Sequence, residues 1–272
     1  QGGVLAMSSV IQIAVATHKD YRMPKDPAYV PIRVGAALNP QTDQKFQRDD
    51  DGDNISAKNP YYSELTALYW MWKNCHADYK GLVHYRRHFR TQDSANKRAE
   101  DRFDRIATAT DFERLVSSGV EAIFPKQRKY YIETMRSHWN HTQPTEQLAE
   151  AERVVAEMRS EYASSFASVL ASRKAHMFNM MIMRAECFDS YCEWLFPLLF
   201  ELERRIDPAG YNAFQARYLG RVSELLLDAW IGKNDIAYAE LSTVSPEPVD
   251  WPKKASGFLA AKFYGKKYVK SF

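Results

Sequence analysis

The 272-residue chain is 45% hydrophobic, which is enough apolar material to bury the core of one large domain or two small ones. Its 37 Lys and Arg residues are nearly balanced by 34 Asp and Glu residues, so the net charge of +3 argues against nucleic acid as a partner. No apolar run reaches the roughly twenty residues of a membrane span, and no signal peptide is visible, which predicts a soluble, cytoplasmic protein.

The cysteines and the first residues add two smaller expectations. Cys75, Cys187 and Cys192 lack a metal-binding spacing and predict buried thiols in a reducing compartment, without disulfides. The opening residues 1–6 resemble the remnant of an expression tag, so we expect the natural chain to start at Met7.

In chain order, the hydrophobic pattern predicts alternating strands and helices. Short apolar runs predict strands at 10–16, 29–38, 79–84, 120–125 and 175–183, and the polar stretch 39–59 predicts a surface loop. Helical spacing predicts helices at 61–74, 111–118, 144–170 (one or two), 184–206 with a kink at Pro197, and 211–231 with a capped start at Ser223. The order strand, helix, strand is typical of a mostly parallel α/β sheet with crossover helices.

The third predicted strand ends in an unusual cluster of cations. His84, Tyr85, Arg86, Arg87 and His88 follow the apolar run 81–83, and ligands of open α/β sheets bind at the carboxyl ends of strands. The cluster therefore predicts an anionic ligand such as a diphosphate. If the strand persists, His84 and Arg86 share one face and Tyr85 and Arg87 share the other. The alternative is that these residues form buried ion pairs with nearby carboxylates.

Two further polar groups are candidates for binding a nucleotide. Thr17, His18 and Lys19 end the first strand, where a doubly wound fold presents its nucleotide pocket, although a solvated loop would read the same way. A second group surrounds the start of the helix 61–74, where free N–H groups favour anions, and a simple helix cap is the alternative. Its members are Asp53, Asn54, Ser56, Lys58, Asn59, Tyr62 and Glu64.

Several motifs together resemble a known bacterial family. The segments DNISAKNPYYSELTALYWMWKN, ADYKGLVHYRRHF, AHMFNMMIMRAECFDSYCEWLFPLLFELE and YLGRVSELLLDAWI are similar, in this order, to proteins of capsular and exopolysaccharide biosynthesis long catalogued as a domain of unknown function. The resemblance covers about residues 11–231. It differs at Ser63, at Val83-His84 and at Leu225, where the family more often has Cys, Cys-His and Arg.

The resemblance implies a glycosyltransferase with a GT-A-like, Rossmann-type sheet and a helical C-terminal part, using a UDP-sugar such as UDP-galactofuranose or UDP-galactose. Many GT-A enzymes hold a metal with Asp-x-Asp at the strand end, where this chain has His84 to Arg87. We therefore expect cations to replace the metal and the reaction to need no cofactor. Glu224 is the predicted base of an inverting transfer, with Asp228 in reserve, and a first-turn helix Glu is the alternative.

The acceptor side is assigned to His138, Trp139, Asn179, Arg217 and Arg221, with Trp139 as a sugar-stacking platform in a polar loop. Histidine pairs, His84 with His88 and His138 with His141, are weak metal signals, and the acids at 49–53 are more typical of a solvated loop. No metal site is predicted.

The last 22 residues form a basic aromatic tail. Residues 251–272 carry six lysines and no acid among aromatic residues, which suits either an anionic membrane surface or packing on the domain. We expect one glycosyltransferase domain at 8–250, a glycan or lipid-linked glycan acceptor, and cytoplasmic or peripheral placement on the inner face of the membrane. The alternatives are a metal-dependent phosphodiesterase or nucleotidyl transferase and a non-catalytic module of polysaccharide assembly.

Overall fold

The computed structural model of the chain describes residues 9–40 and 45–247. The strands are β1 (Ile11–Thr17), β2 (Tyr29–Arg33), β3 (Gln47–Arg48), β4 (Tyr79–His84), β5 (His88–Phe89), β6 (Ala122–Pro125), β7 (Arg128–Lys129), β8 (Lys174–Ala175), β9 (Met181–Arg184), β10 (Tyr238–Leu241) and β11 (Thr243–Val244). The helices are α1 (Asn59–Tyr62), α2 (Leu65–Asn74), α3 (Ala109–Val116), α4 (Met135–Thr142), α5 (Thr145–Met158), α6 (Ala163–Ala171), α7 (Ala185–Arg205) and α8 (Tyr218–Asn234).

Seven strands form one mixed sheet in the order β10-β6-β9-β4-β1-β2-β3. The pairs β1 with β2, β1 with β4, β2 with β3 and β6 with β10 are parallel, and β9 runs antiparallel to both β4 and β6. The predicted mostly parallel sheet with flanking helices and a helical C-terminal part is confirmed. The antiparallel β9 was not predicted, and it lies between the two parallel groups.

Alternating side chains of the central strands separate two cores. In β1, Ile13 and Val15 belong to the core on one face, and Ala14 and Ala16 belong to the core on the other. Helices α2 and α4 to α8 contribute to the larger core, and Phe112 of α3 packs in the smaller one. Strand β4 is buried almost throughout its length, so the residues after His84 emerge from the middle of the molecule.

The helix predicted at 61–74 is interrupted at Ser63. This residue has a φ of 52°, and its carbonyl oxygen accepts hydrogen bonds from the Asn59 amide at 2.8 Å and the Thr66 hydroxyl at 3.2 Å. The side-chain bonds that stabilise this break cannot be read from helical spacing. The break ends α1 and makes Glu64 the residue that precedes α2.

Two more predicted elements are shorter or shifted. The strand predicted at 175–183 reduces to β8 and β9, because Phe178 and Asn179 have φ values of 82° and 50°, which no strand residue adopts. Helix α8 begins at Tyr218, so the prediction of a helix start at Ser223 is wrong. The Ser223 hydroxyl donates to Asn179 Oδ1 at 2.5 Å instead of capping a helix.

Within the described residues, no helix is both long and apolar enough to cross a bilayer. The predicted tail at 251–272 and the domain boundary at 250 lie outside the described residues, so the tail stays a prediction.

Candidate functional site

The candidate site lies at the carboxyl edge of the parallel strands. Strands β1, β4 and β6 end at this edge, and the antiparallel β9 begins there. The chain leaves β1 toward β2 on one side, while β4 lies on its other side, which makes β1 and β4 a topological switch point. Open α/β sheets form their ligand crevices at such points.

The cations after β4 lie on a tight turn. The N–H of Arg87 donates to the carbonyl of His84 at 2.9 Å, and the N–H of His84 donates to the carbonyl of Arg87 at 3.2 Å. The strand therefore does not persist beyond His84, so the alternation of His84 and Arg86 with Tyr85 and Arg87, expected only for a continuing strand, does not apply. Tyr85 is buried beneath the turn, while Arg86 is exposed. His88 is fully buried, and burial lowers its pKa to about 4, so it is neutral near pH 7.

Glu64 connects this turn to β9 and α8. One oxygen of the Glu64 carboxylate lies 3.5 Å from His84 Nε2, and the other accepts from the Asn179 amide at 2.7 Å. The same amide donates to the Gly220 carbonyl of α8 at 2.8 Å. Burial raises the pKa of Glu64, but His84 and Asn179 outweigh it and the net shift is downward, so Glu64 stays ionised.

Glu224 lies in the interior of the same site. Its carboxylate accepts the backbone N–H of Phe178 at 2.9 Å. Burial, followed by the negative charge of Glu64, raises the pKa of Glu224 to about 7, although Arg221 and Arg87 act in the opposite direction. A carboxyl group with this pKa exchanges protons near neutral pH, as a general base must.

Two partly buried arginines, Arg87 and Arg221, lie close enough to Glu224 for their charges to act on it. Arg87 lies over the ring of Phe178 at 3.6 Å from its centroid, and Arg221 lies over the ring of Phe214 at 3.9 Å. Burial lowers the pKa of both arginines, and the charge of Glu224 partly restores it. The Nε of Arg221 is buried and has no hydrogen-bond partner among the described residues, so it is available to an anion.

A second set of cations surrounds the end of β1. The pKa of His18 is lowered by partial burial and by the positive charges of Lys19, Arg86, Arg217 and Arg33. Lys19 lies 5.4 Å from the ring of Tyr85, and the Thr17 hydroxyl donates to the Lys19 carbonyl at 2.6 Å. The structure thus brings the predicted cations of β1, β4 and α8 into one electropositive region.

Most of the polar group predicted around 53–62 is engaged in hydrogen bonds that hold the fold together. Lys58 and Tyr62 both bind Glu203 of α7, at 2.8 Å and 3.0 Å. Ser56 donates to the buried Asp49, and Asn59 holds the Ser63 carbonyl. The Asn54 amide donates to the carbonyls of residues 50 and 52, and Asp53 accepts from the hydroxyl of Tyr69. Among the described residues of this group, Glu64 is the one that contacts the cationic site, through His84.

Asp228 lies one turn beyond Glu224 but has a different partner. Its two oxygens accept from the backbone N–H of His176 at 2.7 Å and pair with His176 Nδ1 at 2.5 Å. The other ring nitrogen of His176 lies 2.9 Å from Glu240 of β10. His176 is 1% exposed, so Asp228 holds the segment before Phe178 against α8.

Trp139 was predicted to be a sugar-stacking platform in an open loop, but the structure places it elsewhere. It is buried in α4 at 5% exposure, and its indole N–H donates to the Pro144 carbonyl at 3.0 Å. The prediction is wrong because 134–142 form a capped helix that turns the ring inward. His138 and His141 both bind the carboxylate of Glu133, at 2.8 Å and 3.0 Å. No group of three or more His, Cys, Asp or Glu residues in the described ranges could hold a metal ion.

Three residues of the region were not predicted from the sequence: Arg128, Tyr130 and Phe178. The charge of Arg128 acts on Arg87, and Tyr130 is buried within reach of the charges of Glu224 and Arg221. Arg128 follows the predicted strand 120–125, so the strand-end argument could have found it. The apolar run around Phe178 contains no signal that predicts its left-handed backbone conformation.

Comparison with known proteins places these features in a family. Residues 12–235 match a family model described as "Domain of unknown function (DUF4422)", and no curated protein matches. Among solved structures, the chain is similar to the apo structure of WbbM, a bifunctional glycosyltransferase, with 27% sequence identity and a TM-score of 0.76. The match covers 86% of this chain and 45% of the WbbM chain, so this chain spans less than half of that protein. These matches confirm the resemblance to a glycosyltransferase-like family once of unknown function, and the protein belongs to the DUF4422 family.

Proposed function

We propose that this protein is a glycosyltransferase that moves a hexose from a UDP-sugar to a polysaccharide or lipid-linked acceptor, with inversion and without a metal. Galactofuranose and galactose are the proposed sugars. The observation that carries the proposal is a carboxyl group with a pKa of about 7, Glu224, beside the partly buried cations Arg87 and Arg221 at the carboxyl edge of the sheet. The similarity to WbbM, a glycosyltransferase, supports the same reaction class.

The cations fit the leaving group of such a reaction. When the bond between the anomeric carbon and the UDP oxygen breaks, UDP leaves with the electron pair and carries the developing negative charge. Arginine remains charged and binds phosphate oxygens through two N–H groups, so Arg86, Arg87 and Arg221 can stabilise this charge. In the proposed reaction they take the role that a metal ion has in many enzymes of this fold.

Glu224 fits the role of the base. Its ionised carboxylate would take the proton of the acceptor hydroxyl as the hydroxyl oxygen attacks the anomeric carbon from the face opposite UDP. The ionised Glu64 keeps the proton affinity of Glu224 high, and the Phe178 N–H fixes the orientation of its carboxylate. The surroundings of the two neighbouring carboxyl groups thus shift their pKa values in opposite directions, and Glu224 is the one suited to proton transfer near neutral pH.

UDP binding to arginine variants tests the proposed clamp. In EDTA, UDP should raise the melting temperature of the wild-type protein, and Arg86→Ala and Arg87→Ala should each weaken UDP binding about 10- to 100-fold, the cost of one or two charge-assisted hydrogen bonds. Differential scanning fluorimetry over a range of UDP concentrations measures the effect.

Arg153→Ala is the matched control, because Arg153 is 67% exposed in a local pair with Glu150 on α5. It should bind UDP as the wild type does. Arg86 is exposed, so its variant tests the clamp even if Arg87→Ala does not fold. Unchanged UDP binding in both variants would refute the clamp.

A further inference from the structure

An exposed basic turn lies beside the candidate site and has no role in the proposed chemistry. Residues 126–132, KQRKYYI, lead from β6 through β7 to a turn at Tyr131 and Ile132. Strand β7 pairs with β8, so residues 172–175, SRKA, complete the same surface. These two segments, which we call the basic turn, contain no acidic residue and five cations: Lys126, Arg128, Lys129, Arg173 and Lys174.

The tip of this turn is apolar and projects into solvent. Tyr131 is 81% exposed and Ile132 is 58% exposed, the two highest values among the large hydrophobic residues of the described chain. The turn is nevertheless fixed, because the N–H of Tyr130 donates to the Arg173 carbonyl at 2.6 Å and the N–H of Met135 donates to the Ser172 carbonyl at 2.9 Å. A fixed backbone that presents Tyr and Ile outward is suited to a partner with an apolar layer.

The charges around this tip are not neutralised by the protein itself. Lys129 and Lys174 lie directly opposite each other in the β7–β8 ladder, an arrangement of like charges that destabilises an antiparallel pair unless an anion is nearby. In the described ranges, no carboxylate lies within 4.0 Å of any of the five cations. The next acid along the chain, Glu133, is buried and engaged by His138 and His141.

We propose that the basic turn docks this protein on an anionic phospholipid bilayer, with Tyr131 and Ile132 at the level of the headgroups and the surrounding cations against lipid phosphates. An anionic bilayer can bind both parts of this surface, because its phosphates attract Lys and Arg and its apolar layer buries Tyr and Ile. A polyanion such as RNA would attract the cations but would provide no apolar contact for an exposed Ile.

The position of the turn gives this docking a consequence for the acceptor. Tyr130, the residue before the tip, is buried and lies within reach of the charges of Glu224 and Arg221. Docking would therefore bring the candidate base close to the bilayer surface, where the glycan of a lipid-linked acceptor emerges. This statement about the acceptor rests on the proposed function, whereas the docking itself does not.

Sedimentation with phospholipid vesicles tests the docking on the full chain. The probes are phosphatidylcholine vesicles with and without phosphatidylglycerol, and no nucleotide is present. Wild-type protein should partition onto the anionic vesicles only. The combined variant Lys129→Gln, Lys174→Gln should bind about 10- to 30-fold more weakly, since each Lys contributes about a fivefold factor near an anionic surface.

The combined variant Tyr131→Ser, Ile132→Ser should also lose at least about tenfold in partitioning, because the apolar contact is removed. Leu38→Ser is its matched control, since Leu38 is 50% exposed on a different part of the surface, and it should bind as the wild type does. All variants change exposed residues outside the catalytic site, and an unchanged melting temperature confirms that they fold.

The basic tail requires a variant of its own, in which its six lysines are changed to Gln. Unchanged vesicle binding in both turn variants, with binding lost only in the tail variant, would overturn the proposal. Equal binding to neutral and anionic vesicles would also overturn the docking proposal. So would a result in which the turn variants lose binding to the RNA poly(U) but keep binding to anionic vesicles. Failure of UDP binding with intact, turn-dependent vesicle binding would refute the proposed function alone.

Discussion

Glu64 and Glu224 are two partly buried carboxyl groups with opposite pKa shifts. Glu64 is held ionised by His84 and Asn179, and its charge, together with burial, raises the pKa of Glu224 to about 7. Such a pair lowers the free energy of unfolding, because ionising Glu224 at neutral pH is less favourable in the folded protein than in the unfolded chain. Residues that reduce stability in this way are typical of functional sites.

The cost of ionising Glu224 predicts a pH-dependent effect of Glu224→Gln. The pKa of Glu224 rises from 4.5 in the unfolded chain to about 7 in the fold. Between these values the folded protein binds more protons than the unfolded protein, so the free energy of unfolding of the wild type falls as pH rises, and the loss is complete above pH 7. Glutamine keeps the acceptor for the Phe178 N–H without this cost.

Glu224→Gln should therefore be more stable than the wild type at pH 8, by up to about 3 kcal/mol, and similar to it near pH 4. Urea unfolding at both pH values measures the difference. A variant that is less stable than the wild type at pH 8, or a difference that does not change with pH, would show that Glu224 is not destabilised by its ionisation.

Glu64→Gln tests the coupling between the two carboxyl groups. Glutamine is isosteric and retains an oxygen for the Asn179 amide, but it removes the negative charge that raises the pKa of Glu224. Since the base must be ionised, the acid limb of the kcat/KM profile should move to lower pH in this variant. A pH–rate profile of UDP release measures it, and a limb that stays in place or moves to higher pH would contradict the coupling.

At the scale of elements, strand β4 positions the cationic turn and depends on close packing at Gly81. A Cβ at this position would lie 2.7 Å from the backbone oxygen of Met181 and 2.9 Å from a side-chain carbon of Ile182, both in β9. Backbone atoms of a paired strand cannot move aside. The absence of a side chain at Gly81 thus allows β9 to approach β4 and bring Asn179 to the site.

Gly81→Ala should destabilise the protein by about 1–3 kcal/mol or more and should weaken UDP binding as well, because it separates β9 from β4. Gly210→Ala is the control, since a Cβ there would have no atom within 4 Å, and it should change stability by less than about 0.5 kcal/mol. Chemical unfolding of both variants measures the contrast. Equal stability of the two variants would contradict the role assigned to Gly81.

Elements with strong periodicity were predictable from the sequence, and interruptions were not. Strand β4 coincides with the predicted range 79–84, and α7 at Ala185–Arg205 nearly coincides with the predicted 184–206. The break at Ser63 is held by local side-chain hydrogen bonds from Asn59 and Thr66, which apolar spacing does not reveal. The left-handed Phe178 and Asn179 are held by tertiary hydrogen bonds to α8, which one-dimensional spacing does not contain. Strand β10 was missed because its residues, YAEL, are mostly exposed and show no apolar run.

At the scale of the molecule, the site combines parts of the chain that are far apart in sequence. The cations after β1 and β4 could be predicted to lie in one site, because parallel strands end at the same edge of the sheet. The link from that edge to α8 could not be predicted. It consists of the Glu64–Asn179 contact, which spans 115 residues, and the Asn179–Gly220 contact, which spans 41. The polar neighbours of Trp139 in the sequence suggested a sugar-stacking role, which the burial of its ring in α4 excludes.

The role of Glu224 in a metal-independent transfer can be measured as UDP release from UDP-hexoses in EDTA, compared between the wild type and Glu224→Gln. We expect the wild-type protein to turn over a UDP-hexose in the presence of chelator. Glu224→Gln should be slower by about 10²- to 10⁴-fold, the usual contribution of a general base, while UDP still protects it against heat. Turnover that is abolished by EDTA and restored by a divalent metal would show that the reaction needs a metal, and unchanged turnover in Glu224→Gln would show that Glu224 is not the base.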